Sequence, residues 1–229
     1  MSAALRLVIF DVDGTLIDSQ DAIIAAMEIA FTDMGLPVPS RQQVLQIVGL
    51  SLQEAVALLV PDADEAMIER GAQSYRAAFL AQRQAKGAEA VSPLYPGARA
   101  AVEALHARDE LLLGVATGKA RRGLDHAFAA HDLDRFFVTR QTADTHPSKP
   151  HPSMIHAALS ETGVAVGDAV MVGDTTFDIE MARAAGVAAI GVSWGYHSPE
   201  ALIAAGAAQV ITDFADLPGA VEAVWRQAV

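Results

Sequence analysis

The chain has 229 residues, 52% of them hydrophobic and 19% charged, enough to bury a full core as one domain or as a domain with an insertion, and this excludes a disordered or fibrous protein. A formal net charge of -12 repels nucleic acid and anionic membranes, so neither is an expected partner, and an anionic substrate would need local positive charge. Cysteine is absent, which excludes disulfides and a thiol nucleophile and fits a reducing compartment. The segment Met1 to Phe10 carries only Arg6 before Asp11 ends it, with no signal-like apolar stretch, and no later apolar run has the length of a membrane helix. The expectation is a soluble cytoplasmic protein, a monomer or a homodimer.

In chain order, the first element is a strand, Arg6 to Phe10, apolar enough to be buried on both faces. It ends at Asp11 and Asp13, which share a face because alternate side chains of an extended chain do, and Gly14 allows the turn that exposes them. From Ser19 to about Pro93 the patterns are helical: Ile23, Met27, Ala30 and Phe31, then Leu52 to Val60, then Ala63 to Lys86, with no strand between them. Pro37, Pro39 and Gly49 punctuate this insertion, and Pro93, Pro96 and Gly97 mark its end. Strands and helices then alternate. The strands are Leu111 to Ala116, Phe136 to Thr139, Ala169 to Val172, Ala188 to Val192 and Gln209 to Ile211. The helices run about Ala98 to Ala107, Ala120 to Ala130, Pro152 to Glu161, Thr176 to Ala185, Pro199 to Ala205 and Leu217 to Gln227. The pattern predicts an α/β fold, a Rossmann-like doubly wound parallel sheet of residues 1–18 and 94–229, with residues 19–93 as an inserted helical domain.

Ligands of such sheets bind beyond the carboxyl ends of the strands, so the residues there carry the functional reading. Thr117, Gly118 and Lys119 follow the second strand: a hydroxyl, a bare amide and a cation, a set that suits phosphate. They are not a nucleotide-binding P-loop, since Gly114 to Gly118 is one residue too short and Ala120 replaces the required hydroxyl. Arg121 and Arg122 then stand in the first turn of a helix, against its dipole, which either a bound phosphate or plain solvation would explain. Lys149 is held by Pro150 and Pro152 in what reads as extended backbone. Gly173 and Asp174 follow the fourth strand, and Asp178, four residues on, shares a helix face with Asp174, whose ordinary alternative role is helix capping.

Together, Asp11-Val12-Asp13-Gly14-Thr15-Leu16, Ala116-Thr117-Gly118-Lys119, Lys149-Pro150 and Gly173-Asp174-Thr175-Thr176-Phe177-Asp178 resemble the four ordered motifs of the haloacid dehalogenase-like phosphohydrolases, over nearly the whole chain. The insertion resembles that family's helical cap, and the nearest subgroup is similar to phosphoglycolate phosphatases. The resemblance implies Asp11 as the nucleophile that forms an aspartyl-phosphate and Asp13 as acid and then base. It implies Thr117, the Gly118 amide and Lys149 as holders of the phosphoryl oxygens, with Thr117 and Lys149 counted as catalytic. It also implies Mg2+ on the Asp11 and Asp174 carboxylates and the Asp13 carbonyl, with Asp178 orienting that shell or ligating through water. The expected partner is a small phosphorylated metabolite, with 2-phosphoglycolate suggested by the subgroup alone. Lys119, Arg121 and Ser51 are further possible contacts, and Gln46, Gln53 and Arg41 are cap candidates that read equally well as surface.

Asp13 argues against the dehalogenase branch, which usually lacks an acid two residues after the nucleophile. A sugar-phosphate mutase is the alternative within the family; it tends to carry an arginine in the cap loop, and Ile47 to Leu52 has none. From a different class, a phospho-Asp receiver switch would share the Asp, Thr and Lys, but it is about half this length and has no helical insertion.

Overall fold

The computed structural model describes residues 4–227; the first three residues of the expected signal-free amino-terminal segment lie outside them. The strands are β1 (Arg6–Phe10), β2 (Leu111–Thr117), β3 (Phe137–Thr142), β4 (Ala169–Gly173), β5 (Ala188–Val192) and β6 (Gln209–Ile211). The helices are α1 (Gln20–Asp33), α2 (Arg41–Leu45), α3 (Leu52–Leu59), α4 (Glu65–Lys86), α5 (Ala88–Val91), α6 (Ala98–His106), α7 (Arg121–Ala130), α8 (Ser153–Thr162), α9 (Thr176–Ala184), α10 (Pro199–Ala205) and α11 (Leu217–Gln227).

All six strands form one parallel sheet in the order β3-β2-β1-β4-β5-β6. The alternation of side chains along β1 divides its apolar run between two cores. Val8 and Phe10 join Val102, Leu124, Phe128 and Val221 on the face covered by α6, α7 and α11. Leu7 and Ile9 join Ile155, Ile179 and Leu202 on the face covered by α8, α9 and α10. Burial on both faces is what selects an unbroken apolar strand. Phe10 is fully buried against Phe137, edge to face at 6.1 Å, and truncating it to alanine would cost about 3–5 kcal/mol.

Between β1 and β2 the chain forms α1 to α5, which build a smaller core of Ile23, Met27, Phe31, Val44 and Val48, with Tyr75 and Phe79 packed on it. Among the described residues no helix is long and apolar enough to cross a membrane. One strand differs from expectation. β3 starts at Phe137 and runs on to Thr142, because Arg140, Gln141 and Thr142 pair in register with Val115, Ala116 and Thr117 of β2. Their polarity hid an edge strand whose pairing is backbone work. The short helices α2 and α5 were not expected either.

Candidate active site

The site is built where β1, β2 and β4 end. Phe10 has Val115 as its partner on one side and Val172 on the other, so Asp11, Thr117 and Asp174 leave three adjacent strands at nearly one height. Asp11 remains tied to the sheet, its N–H donating to the Val172 carbonyl at 2.9 Å. The chain then turns at Gly14, with φ +86°, where a Cβ would lie 2.2 Å from a carboxylate oxygen of Asp174. Both the conformation and the close approach demand glycine.

Lys149 reaches the same point from the loop after β3. Its Nζ is buried, 2.7 Å from Asp11 Oδ1 and 2.6 Å from Asp178 Oδ1. The backbone turns at Lys149 and Pro150, which are joined by a cis peptide, rather than running extended as the two prolines suggested. Asp174 does not cap α9. Thr175 does, in a capping box in which the Asp178 carboxylate accepts from the Thr175 N–H at 3.0 Å and from its hydroxyl at 2.7 Å. Asp174 is thereby free for the site, where its oxygens accept from the Thr15 hydroxyl at 2.8 Å and the Tyr196 N–H at 2.9 Å.

Asp11, Asp174 and Asp178 each place a carboxylate oxygen within 4.8 Å of the others, all three buried. Burial pushes the Asp11 carboxyl up to about 7, against the pull of Lys149, and the Asp178 charge adds to the rise. Burial, then Asp178 and Asp11, raise Asp174 well above the ordinary carboxylate range. Burial disfavours the Lys149 ammonium, but the Asp11 and Asp178 carboxylates outweigh it and hold its pKa above the usual lysine value. One lysine does not balance three carboxylates, and Asp11 Oδ2 is buried with no hydrogen-bond partner. An orphaned anionic oxygen among hard oxygen donors fits a divalent cation such as magnesium.

Asp13 stands apart from this cluster. Its Oδ1 accepts from the Ser19 hydroxyl at 2.5 Å, and its Oδ2 pairs with Lys119 Nζ at 2.9 Å. Lys119 in turn lies 5.3 Å from the ring centre of Phe79 on α4. Thr117 is buried, its Oγ accepting from the Lys119 N–H at 3.2 Å. At Gly118 a Cβ would meet the Gly49 carbonyl oxygen at 2.4 Å and that of Leu50 at 2.5 Å, so the loop between α2 and α3 rests directly on this turn. Beside it the Ser51 N–H donates to Ser148 Oγ at 2.8 Å. The space enclosed between sheet and helices is about 660 Å³, walled by Asp11, Asp13 and Thr117 on one side and by Ser51, Gln53 and Tyr75 on the other.

Arg121 does not join them. Its guanidinium pairs with Asp125 at 2.8 Å, and its N–H donates to Asp144 at 3.1 Å. Asp144 supplies the anion that the start of α7 calls for, which removes the need for a phosphate there. Arg122 lines the cavity instead. Arg41 is bound to Asp21 at 3.0 Å and, like Gln46, is outside the cavity wall. Sequence reasoning gave no role to Thr15, Ser19 or Tyr196, which orient Asp174 and Asp13. Thr15 and Ser19 are hydroxyls close behind the acidic pair and offered a signal; Tyr196 acts through its backbone and offered none.

Comparison with known proteins agrees with this geometry. The family model for haloacid dehalogenase-like hydrolases matches residues 8–192. The chain is 35% identical over 224 residues to a Dickeya dadantii protein named "Probable phosphatase IndB", covering 96% of this chain and 95% of that one. It is 30% identical over 222 residues to a phosphoglycolate phosphatase of Yersinia pseudotuberculosis, covering 93% and 92%. Its fold matches that of a solved hydrolase from Pseudomonas syringae with a TM-score of 0.84 at 24% identity, over 95% of this chain and 98% of the other. Motifs, fold and relatives agree: the chain is an enzyme and belongs to the haloacid dehalogenase-like hydrolases.

Proposed function

We propose that the protein is a magnesium-dependent phosphatase that hydrolyses a small phosphomonoester through an aspartyl-phosphate. The observation that carries this is the meeting of Asp11, Asp174, Asp178 and Lys149, drawn from across the chain, beside Thr117 and Gly118 at the ends of three adjacent strands. Asp11 attacks phosphorus with a carboxylate oxygen; the bond from phosphorus to the ester oxygen breaks as the aspartyl bond forms. Asp13, steadied by Ser19 and Lys119, gives a proton to the departing alcohol and then takes one from the water that releases phosphate. The Thr117 hydroxyl, the Gly118 N–H and Lys149 hold the phosphoryl oxygens, a preorganised set of donors that needs no rearrangement as charge develops. Asp11, Asp174 and the Asp13 carbonyl would hold magnesium, with Asp178 fixing Lys149 beside them. When bound, magnesium supplies positive charge to the phosphoryl group and offsets the repulsion among the carboxylates.

Residues 19–93 act in this reading as a cap on a core of residues 1–18 and 94–229. Its two connections run side by side, the Asp18 N–H donating to the Pro93 carbonyl at 2.8 Å and the Tyr95 N–H to the Leu16 carbonyl at 3.0 Å. Two adjacent crossings are the arrangement a hinge needs. The loop lying on Gly118 is then the part that excludes water. Several relatives are named phosphoglycolate phosphatase, so 2-phosphoglycolate is the first metabolite to assay.

The test is phosphate release from p-nitrophenyl phosphate with magnesium and with a chelator. The expected result is steady turnover that requires the metal and is lost in Asp11→Asn. Equal rates in chelator, or full activity in Asp11→Asn, would refute the proposal.

A further inference from the structure

The cavity extends outward along α4. Tyr75, Phe79 and Arg83 are spaced four residues apart, share one face of that helix, and all line the cavity. Tyr75 is at the reactive end: burial, and then the nearby Asp13 carboxylate, push its phenol above the ordinary range. Phe79 comes next, under Lys119. Arg83 lies a further turn out, so from Tyr75 to Arg83 the helix advances about 12 Å. On the facing wall Arg122, three residues after Lys119, lines the same outer end.

These two arginines are out of keeping with the other charged groups around the cavity. The chain has 28 acidic residues against 16 basic ones, and the other arginines near the cavity mouth are paired, Arg76 with Glu69 and Arg121 with Asp125. Neither Arg83 nor Arg122 has an ion-pair partner among the described residues, although both lie in a strongly acidic protein. Burial holds the Arg83 guanidinium below its usual range, and the Arg122 charge adds to that, so each is close enough to repel the other. Asp144 also lines the cavity, but its oxygens are taken by the Arg121 N–H at 3.1 and 3.2 Å and by the Thr142 hydroxyl at 2.5 Å. Two facing cations with no protein anion between them are stabilised by an anion that arrives with a ligand. Between them and the reactive end the helical side of the wall is apolar, formed by Phe79, Leu80, Met27 and Ile23, with Lys119, already paired with Asp13, over Phe79.

We infer that Arg83 and Arg122 form a second anion subsite, and that the substrate is an extended phosphomonoester carrying a second anionic group, carboxylate or phosphate, separated from the reacting phosphate by an apolar spacer. The inference rests on the phosphatase reading and names the substrate class for that site. It sets 2-phosphoglycolate apart, because two carbons from a phosphate held at the Tyr75 end of the cavity do not reach Arg83, two helical turns further along α4.

The experiment compares kcat/KM for matched esters of the purified full-length enzyme with magnesium: 2-phosphoglycolate against ethyl phosphate, and 6-phosphooxyhexanoate against hexyl phosphate. The carboxylate should bring no advantage in the short pair and roughly a tenfold advantage in the long pair, the gain of a charge-assisted contact. In the double variant Arg83→Gln/Arg122→Gln the long-pair advantage should vanish, whereas Arg83→Lys/Arg122→Lys should keep most of it. Each ratio is internal to one protein, so partial loss of folded enzyme does not alter it. No long-pair advantage in the wild type, or an advantage that survives the Gln double variant, overturns the subsite. If the wild type hydrolyses none of the four esters, the phosphatase reading fails and the subsite with it; hydrolysis of all four without a long-pair preference refutes the subsite alone. A bis-phosphate of the same span in place of 6-phosphooxyhexanoate separates the two kinds of distal group.

Discussion

The inner and outer ends of the cavity are built on different principles. At the inner end the charged groups are paired and fixed: Lys149 lies buried between Asp11 and Asp178, Asp174 is held by Thr15 and Tyr196, and the half-buried Asp13 by Ser19 and Lys119. At the outer end Arg83 is half-buried, Arg122 is exposed, and neither has an ion-pair partner among the described residues. The inner end belongs to the sheet, whose register is fixed by two buried faces, and suits chemistry that tolerates little displacement. The outer end belongs to helices that meet across a seam and suits selection among substrates. A change at the inner end should therefore abolish reaction for all esters, and one at the outer end should alter their ranking.

The largest expected effect is that of Asp11→Asn, which removes the proposed nucleophile and should lower kcat by about 10⁴-fold or more for every ester. Steady-state assays with p-nitrophenyl phosphate would measure it, and a loss confined to one ester class would erase the distinction between the two ends. Next is Lys149→Met. It leaves Asp11 and Asp178 facing each other without the cation that separates them, and should cost about 3–5 kcal/mol in urea unfolding as well as activity. Unchanged stability would mean that Lys149 does not bind the inner cluster together.

Gly118→Ala probes the seam. The added methyl has no room against the Gly49 and Leu50 carbonyls, so the α2–α3 loop must lift, and kcat/KM should fall about 10–100-fold for all esters while the melting temperature changes little. Wild-type kinetics in this variant would show that the loop need not close. The smallest effect is one of pH. Asp11, raised to about 7, and Asp174, raised in the same direction, bind protons more tightly in the folded chain than in the unfolded one. Their contribution to stability is complete below the ordinary aspartate value of about 4 and is lost as pH rises toward 7. In chelator this contribution should make the melting temperature fall across that window, and added magnesium should stabilise the protein more at about pH 7.5 than at about pH 5. A metal-free melting temperature that rises through the window would contradict the assignment of an uncompensated acidic cluster.

The inner end was legible in the sequence because strand ends are. Leu7 to Phe10 announces a strand buried on both faces, and the residues just past such a strand in a parallel sheet lie on the ligand side. That logic brings Asp11, Thr117 and Asp174 together from the sequence alone. It did not reveal which hydroxyls and amides would orient them, since the Tyr196 N–H has no side-chain signature. It left Arg121 open between a phosphate contact and a solvated surface charge, because the Asp144 carboxylate at the start of α7 depends on a loop folding back from β3. Thr142 was missed as a strand residue because edge pairing with Thr117 is made by backbone groups that any sequence carries. The outer end was illegible for a related reason. Arg83 and Arg122 are 39 positions apart on two helices, α4 and α7, and only the tertiary fold brings them to one cavity.

The proposed mechanism depends on Asp11 carrying the phosphoryl group. In Asp13→Asn the proposed acid and base is gone while Asp11, Lys149 and the carboxylate cluster remain, so the aspartyl-phosphate should form and decay slowly. Acid quenching of that variant during reaction with p-nitrophenyl phosphate and magnesium, then peptide mass spectrometry, should find one phosphoryl group on the peptide containing Asp11 and none when Asp11→Asn is added. A phosphoryl group on any other residue, or turnover by the variant with Asp11 never modified, would contradict the nucleophilic role of Asp11.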